Sequence, residues 1–275
     1  MSHIQFYRLT HPDAKKDLKN KGPTKTEIRE TARILQQVCS SCGETPSSGE
    51  QLKMCSGCRT TQYCSKKCQA SDWPSHKPTC GGTSPNDITL KLGKKLMAND
   101  YLMFYLKVYS VIALDLLTVP ETAFETCLVI KLATKDADPF AAVQAMLRDE
   151  TRGGPGLPIM LQIANIEKRP LVLQTTHAMR TSYESARKNL ADAGWGDWPV
   201  VMLVFTGDGT NCLGYPCPID PEAMKNGRER PPLKIKTALL GERDIPVTEE
   251  TIVEQLNNHI YMDKGNKYLL HSKSK

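Results

Sequence analysis

Apolar residues are spread unevenly along this chain. They are densest over 101–117, where Leu102, Met103, Phe104, Leu106, Val108, Val111, Ile112, Leu114 and Leu116 leave almost no polar side. A helix that is apolar all round is buried. One long helix is therefore expected, capped by Asn86 or Asp87 and running to about Leu117, as the core of a domain. Tyr101, Tyr105 and Tyr109 recur every four residues on it and read as the rim of that core. Lys107 and Asp115 exclude a membrane span there. After Pro120 the pattern shortens. Strands are expected over 127–132, 159–166, 171–175, 200–205 and 233–238, with Glu167-Lys168-Arg169-Pro170 as a charged turn between the second and third. Asp138-Pro139 opens a helix to about Arg148, Thr181 and Glu184 have capping-box form for a helix closed by Gly194, and 248–261 reads as a helix. Residues 207–232 are expected to be irregular, and the lysine-rich end to fray. The sum is an α+β domain of mixed order over 86–275.

Upstream the pattern is sparser. Residues 1–38 form a leader, with His11-Pro12-Asp13 and Gly22-Pro23 as breakers and Thr24-Lys25-Thr26-Glu27 as a capping box. Ile28, Ile34, Leu35 and Val38 predict a helix docked on the segment that follows. Lys15, Lys16, Lys19 and Lys21 could belong to a nuclear import signal. A linker, Gly81-Gly82-Thr83-Ser84-Pro85, precedes the α+β domain.

Between leader and linker, hydrophobicity gives way to a different kind of order. Seven of the ten cysteines fall in 39–80, spaced C-x2-C-x12-C-x2-C-x5-C-x3-C-x7-H-x3-C. Thiolate and imidazole are the ligands of tetrahedral zinc, and four of them make a closed structural site. Eight ligands make two sites. A C-x2-C pair is a knuckle, whose turn Gly57 would relieve in Cys55-Ser56-Gly57-Cys58. Residues four apart, as in C-x3-C and H-x3-C, share a helix face. A knuckle joined to a helical pair favours alternate assignment: Cys39, Cys42, Cys64 and Cys68 to one ion, Cys55, Cys58, His76 and Cys80 to the other. Pairing in sequence order is the other partition. So small a segment should be unfolded without its zinc.

Composition narrows the function. No apolar run reaches membrane-spanning length, and the first residues carry no signal-peptide core, so a reducing compartment (nucleus, cytoplasm or both, not secretion) is expected, where clustered cysteines bind metal. The formal charge of +6 is misleading. Residues 81–275 carry 23 basic against 23 acidic side chains. Seven thiolates and two divalent ions take the finger from +2 to −1. That is no phosphate-binding surface, and direct nucleic-acid binding is not expected.

The residues between the ligands carry a resemblance. Cys55-Ser56-Gly57-Cys58-Arg59, Gln62-Tyr63-Cys64-Ser65, Cys68-Gln69 and Asp72-Trp73-Pro74-Ser75-His76-Lys77 before Cys80 look like a MYND-type zinc finger. The resemblance covers about a sixth of the chain. It implies the alternate pairing, two zinc ions, and a module that binds proteins, often through short proline-containing peptides. Carried to matching positions, the peptide surface would comprise Ser56, Gln69 and Trp73, with Tyr63 nearby. In such a surface, indole offers a flat apolar face to a preformed proline segment. Arg230-Pro231-Pro232-Leu233 resembles such a ligand, and self-association through Pro231, Pro232 and Leu233 follows as an option.

No constellation outside the finger carries comparable chemistry. Gly207-Asp208-Gly209-Thr210 lacks the spacing and lysine of a P-loop, Gly153-Gly154-Pro155-Gly156 reads as a loop, and Cys127, Cys212 and Cys217 read as buried thiols. His177 with Thr181 or Ser182 lacks a nucleophile elbow. The enzymatic rival is an S-adenosylmethionine-dependent lysine methyltransferase of divergent SET type, since MYND fingers occur inserted in such enzymes. Those enzymes would place an Asn-His pair before further cysteines; Asn258-His259 is followed by Ile260-Tyr261 and no later cysteine.

Overall fold

The computed structural model describes residues 22–35, 39–44, 52–58, 61–80, 85–138, 158–207, 212–237 and 241–273. The lysines at 15, 16, 19 and 21, the helix expected after Asp138, the Gly153–Gly156 loop and residues 208–211 lie outside them.

The chain's first described helix, α1 (Lys25–Ile34), starts at the anticipated capping box. Thr24 Oγ1 accepts from the Glu27 N–H at 3.2 Å, and the Glu27 carboxylate accepts from the Thr24 N–H at 2.6 Å. Its allegiance differs from expectation. Ile28 and Ala32 are buried in the main core beside Leu92 and Leu96, so the helix packs on the α+β region rather than on the finger. Two lysine contacts tie the same ends together: Lys25 Nζ donates to the Gly265 carbonyl and Lys267 Nζ to the Gly22 carbonyl, both at 3.2 Å.

After the finger, the single long helix of the sequence reading is two. α3 (Pro85–Met97) and α4 (Asp100–Ala113) are separated by Asn99, whose extended backbone and side-chain oxygen, accepting from the Leu102 N–H at 3.1 Å, restart the helix. An N-cap defines a helix start wherever the backbone leaves αR, even inside an apolar run. α4 is the centre of the core, with Leu102, Met103, Leu106 and Val111 all nearly fully buried. Lys107, half-buried on α4, is neutralised by Asp220 Oδ2 at 2.7 Å. Among the described residues no helix is long and apolar enough to cross a membrane.

A short helix, α5 (Thr122–Glu125), leads into the sheet. β3 (Thr126–Asp136) pairs antiparallel with β4 (Pro158–Pro170). β4 runs straight through the expected charged turn, with Lys168 opposite Leu128 and Arg169 opposite Cys127. It ends at Pro170, which has no N–H to continue the ladder. The next residues form α6 (Leu171–Gln174), not the expected strand. α7 (His177–Asp192) is capped by Thr176, five residues before the expected Thr181 start, and closes as expected at Gly194 with φ +82°. β5 (Val200–Thr206) lies parallel to β3, is buried on both faces, and pairs antiparallel with β6 (Cys212–Pro218).

The region expected to be irregular therefore holds β6 and also α8 (Pro221–Glu229), capped by Asp220. β6 has two internal or terminal prolines and reads poorly as a strand, but it is an edge strand, where proline is tolerated. β7 (Leu233–Thr237) and β8 (Gly241–Ile245) make a separate ribbon. α9 (Glu249–Met262) starts at Thr248 as anticipated. The end of the chain does not fray through Lys273: β9 (His271–Lys273) pairs with β4, behind the fully buried Tyr268 and Leu270.

The sheet order is β6-β5-β3-β4-β9. Strand alternation divides it into two faces. Leu128, Ile130, Leu132, Val201, Leu203 and Phe205 point to the main core with α1, α3, α4, α8 and α9. Cys127, Val200, Met202 and Val204 point to the other face, where Tyr183 and Met179 of α7 cover them. α9 is stapled to β4 by Asn257, which exchanges both amide bonds with the backbone of Ile163 at 2.8 and 2.9 Å, beside the bulge in the β3–β4 register. Packing on the helical face is close enough to require glycine: a Cβ on Gly93 of α3 would stand 2.7 Å from Leu132 Cδ1.

Candidate metal centre

The finger is built on three short pieces of secondary structure. β1 (Lys53–Met54) and β2 (Gln62–Tyr63) form a ribbon, and α2 (Lys66–His76) follows, continued by a 3-10 turn over Lys77–Thr79. Ser65 caps α2, accepting from the Cys68 N–H at 3.1 Å. The helix runs without a break through Pro74 to His76. Four residues apart therefore does not mean one helix face here. Cys64 precedes the cap and His76 ends the helix, so each pair straddles a helix end.

The inner stripe of α2 carries something else. Cys68, Asp72 and His76 succeed one another every four residues and so share one face. Cys68 serves one quartet, His76 the other, and Asp72 between them accepts from the Tyr63 hydroxyl at 2.6 Å. Tyr63 is fully buried, and burial with the adjacent carboxylate pushes its hydroxyl far above the ordinary tyrosine range. It is the strut of the finger, not part of its surface.

Two four-ligand groups result: Cys39, Cys42, Cys64 and Cys68, and Cys55, Cys58, His76 and Cys80. In each, all ligand atoms lie within 4.8 Å of one another. A tetrahedral zinc–thiolate site requires sulfurs about 3.8 Å apart, from a Zn–S length of about 2.3 Å. Cys42 and Cys64 are 3.8 Å apart, Cys64 and Cys68 3.4 Å, Cys55 and Cys80 3.5 Å, and Cys58 Sγ lies 3.5 Å from His76 Nε2. These are the alternate groupings. Among the described residues they are the clusters that could hold a metal ion. The three remaining cysteines stand apart: Cys127 and Cys217 are buried in the sheet, and burial pushes the Cys217 thiol up to about 12.

The electrostatics also fit a dication. Burial would raise the Cys39 thiol, but the backbone N–H groups of Cys42, Cys64 and Ser41 aim at it and bring it down to about 7. The Cys58 N–H lowers Cys55 in the same way. Their neighbours move oppositely: burial and adjacent sulfurs raise Cys42 to about 12 and Cys80 to about 11. Each quartet thus sets a thiol favoured as the thiolate (Cys39, Cys55) beside one that is disfavoured (Cys42, Cys80), and a dication between them would relieve the second. His76 turns Nε2 to the ligands and leaves Nδ1 3.5 Å from the Thr61 hydroxyl, the kind of outer contact that sets a ligand ring's orientation.

Two glycines make this geometry possible, for different reasons. Gly57 needs no unusual turn; a Cβ there would lie 2.8 Å from Cys80 Sγ, so the second site closes only over a bare Cα. Gly43, overlooked in the sequence, has φ +77° immediately after Cys42. Its Cα faces α7 so closely that a Cβ would stand 2.6 Å from the Ala178 carbonyl oxygen. The first knuckle is thereby seated on the α+β region. Of the other residues singled out, Ser56 is exposed on the second knuckle, Gln69 is half-buried, and Trp73 is 41% exposed with its ring 5.9 Å from that of His76. Pro231 and Pro232 are exposed, but Leu233 packs on the main core. His259 is buried with its ring 5.3 Å from those of Tyr101 and Tyr105.

Comparison with known protein families matches residues 39–80 to the MYND finger. Three curated relatives share short spans. SET domain-containing protein 14 of Caenorhabditis elegans is 48% identical over 49 residues, 18% of this chain and 11% of that protein. SET domain and MYND-type zinc finger protein 6 of Schizosaccharomyces pombe is 44% identical over 48 residues, 17% of this chain and 9% of that protein. Histone-lysine N-methyltransferase SMYD3 of Homo sapiens is 55% identical over 31 residues, 11% of this chain and 7% of that protein. The chain thus covers only a small part of each relative's length. No solved structure matches it. The rest of the chain is not recognised, and residues 39–80 are a MYND finger with two zinc-binding groups, consistent with two zinc ions per chain.

Proposed function

We propose that this chain is a zinc-dependent regulatory adaptor, acting in the nucleus or cytoplasm, whose finger docks proline-containing peptides. The division into a leader (1–38), a finger (39–80), a linker (81–85) and an α+β domain (86–275) belongs to the same proposal. The observation that supports it is the contrast between two aromatic residues whose rings lie 6.3 Å (Tyr63) and 5.9 Å (Trp73) from that of the same histidine ligand, His76. Tyr63 is buried and bonded, whereas Trp73 leans on His76 and still exposes a large apolar face. A tryptophan that only covered the metal would bury its ring; an exposed one is suited to a proline ring. Gln69 lies one turn before Trp73 on α2, with amide groups for a peptide backbone, and Ser56 stands on the knuckle of the same zinc site. Tyr63 serves this surface from beneath.

Trp73→Ala is expected to abolish binding of a labelled Pro-Pro-Leu peptide, measured by fluorescence polarisation, while two zinc ions per chain are retained. Equal affinity in the two proteins would remove the docking surface from Trp73. Unchanged oligomeric state in Pro232→Ala would likewise remove self-association through Pro231, Pro232 and Leu233.

The names of the relatives support a second reading, an S-adenosylmethionine-dependent lysine methyltransferase of SET type. Calorimetry with that cofactor separates the two. Direct binding that raises the melting temperature favours the enzyme; absence of binding leaves the adaptor.

A further inference from the structure

The outer face of α2 has a charge pattern that the docking of a neutral peptide does not use. At about 100° per residue, Lys66, Trp73 and Lys77 fall within roughly 40° of one another around the helix, with Gln69 about 40° to one side of Trp73. The stripe lies opposite Cys68 and Asp72, which face inward. Lys66, Trp73 and Lys77 are all exposed. Along 66–77 there are three lysines and one acidic residue, Asp72, whose carboxylate is committed to Tyr63. Among the described residues no carboxylate pairs with Lys66 or Lys77. The tryptophan thus sits between two exposed ammonium groups that no carboxylate among the described residues neutralises.

We propose that the peptide partner of this finger carries acidic side chains on both sides of its proline core. This rests on the docking reading above and specifies its partner. The spacing is set by geometry. Lys66 precedes Trp73 by roughly 10 Å of helix rise and Lys77 follows by roughly 6 Å. A polyproline segment advances about 3.1 Å per residue. Carboxylates therefore belong about three residues to one side of the docked proline and about two to the other. Finger and partner meet by charge at the ends and by ring stacking at the centre, so the charges contribute more to selectivity and encounter rate than to affinity.

The test uses the zinc-loaded full chain and two fluorescein-labelled peptides with the same Pro-Pro-Leu centre, one flanked on both sides by Asp and the other by Asn. The Asp peptide should bind roughly 3- to 10-fold more tightly in low salt, as two exposed ion pairs allow, and this advantage should shrink at high salt. In Lys66→Glu/Lys77→Glu the advantage should vanish or invert. Zinc content and circular dichroism report that this protein is folded, and glutamate at the first position of α2 suits the helix dipole. Equal binding of the two peptides overturns the acidic-flank proposal while the docking reading stands. Failure of both peptides to bind overturns both. Competition by a single-stranded oligonucleotide of equal charge, as strong as by the Asp peptide, would assign the lysines to nucleic acid and also overturn it.

Discussion

The finger and the α+β region solve the problem of staying folded in opposite ways. Around the zinc ligands the buried apolar cluster is Cys39, Cys55 and Tyr63, and of these only Tyr63 is a large side chain. The α+β region buries a continuous core that spans α1, α3, α4, α8, α9 and one face of the sheet. Where side chains are few, cross-links between distant points replace burial, and the ligand order is interleaved so that each ion closes a long loop. Where they are many, burial suffices and the cysteines can be ordinary thiols. The two regions nevertheless share a boundary, because Gly43 is pressed onto α7. Stability of one is therefore not independent of the other.

Chelation should separate the two regimes most strongly. Removing zinc is expected to cost on the order of 10 kcal/mol per site and to unfold the finger, while the apolar core keeps its own cooperative melt. Hydrogen exchange read by mass spectrometry should lose protection over 52–80 and keep it over 100–113 and 200–206. Loss of protection in both would mean that zinc supports the whole chain. Elemental analysis should give two zinc ions per chain before treatment.

A smaller effect probes the boundary. Gly43 and Gly194 both have positive φ, but a Cβ at Gly194 meets nothing within 4 Å. Gly194→Ala is expected to cost about 1 kcal/mol from backbone strain alone. Gly43→Ala adds a collision with the Ala178 carbonyl and should cost more, roughly 2–3 kcal/mol, with increased proteolysis between finger and α7. Equal costs for the two variants, measured by urea denaturation, would show that the knuckle does not bear on α7.

The smallest expected effect is confined to the α+β region and depends on pH. Burial would raise the Asp220 carboxyl, but the Lys107 ammonium and the Ala223 N–H outweigh it and hold it below the usual carboxylate range. A depressed folded pKa contributes stability that is present above the unfolded value and is lost as pH falls through the folded one. Stability should therefore decline below about pH 4, by about 1 kcal/mol or less for a pair so partly exposed. Asp220→Asn keeps an N-cap for α8 but should flatten that decline. An unchanged acid limb in Asp220→Asn, with zinc content constant, would assign the decline to other groups.

Legibility in the sequence follows the same division. All eight ligands and their alternate grouping could be read, because ligand chemistry admits few residue types and spacing limits which can meet. The capping box that opens α1 was equally plain, since a cap is a local hydrogen bond. Three features were not. The Asn99 break is hidden inside an apolar run whose periodicity continues across it. β4 passes through Glu167, Lys168 and Arg169 because pairing with β3 decides its length, not its own residues. β6, with its glycine and prolines, is a strand only because β5 lies beside it.

By itself, the order of residues determined which atoms can bind metal, where the capping box opens α1, and that a large apolar core must exist downstream of the finger. Only the tertiary structure decided that α1 belongs to that core, that Tyr63 is a strut while Trp73 faces outward, and that Gly43 and Gly57 are needed for clearance. The physical reason is range. Ligation is limited to few residue types at set spacings and capping to adjacent residues, whereas burial and steric clearance depend on which distant surfaces arrive at the same place.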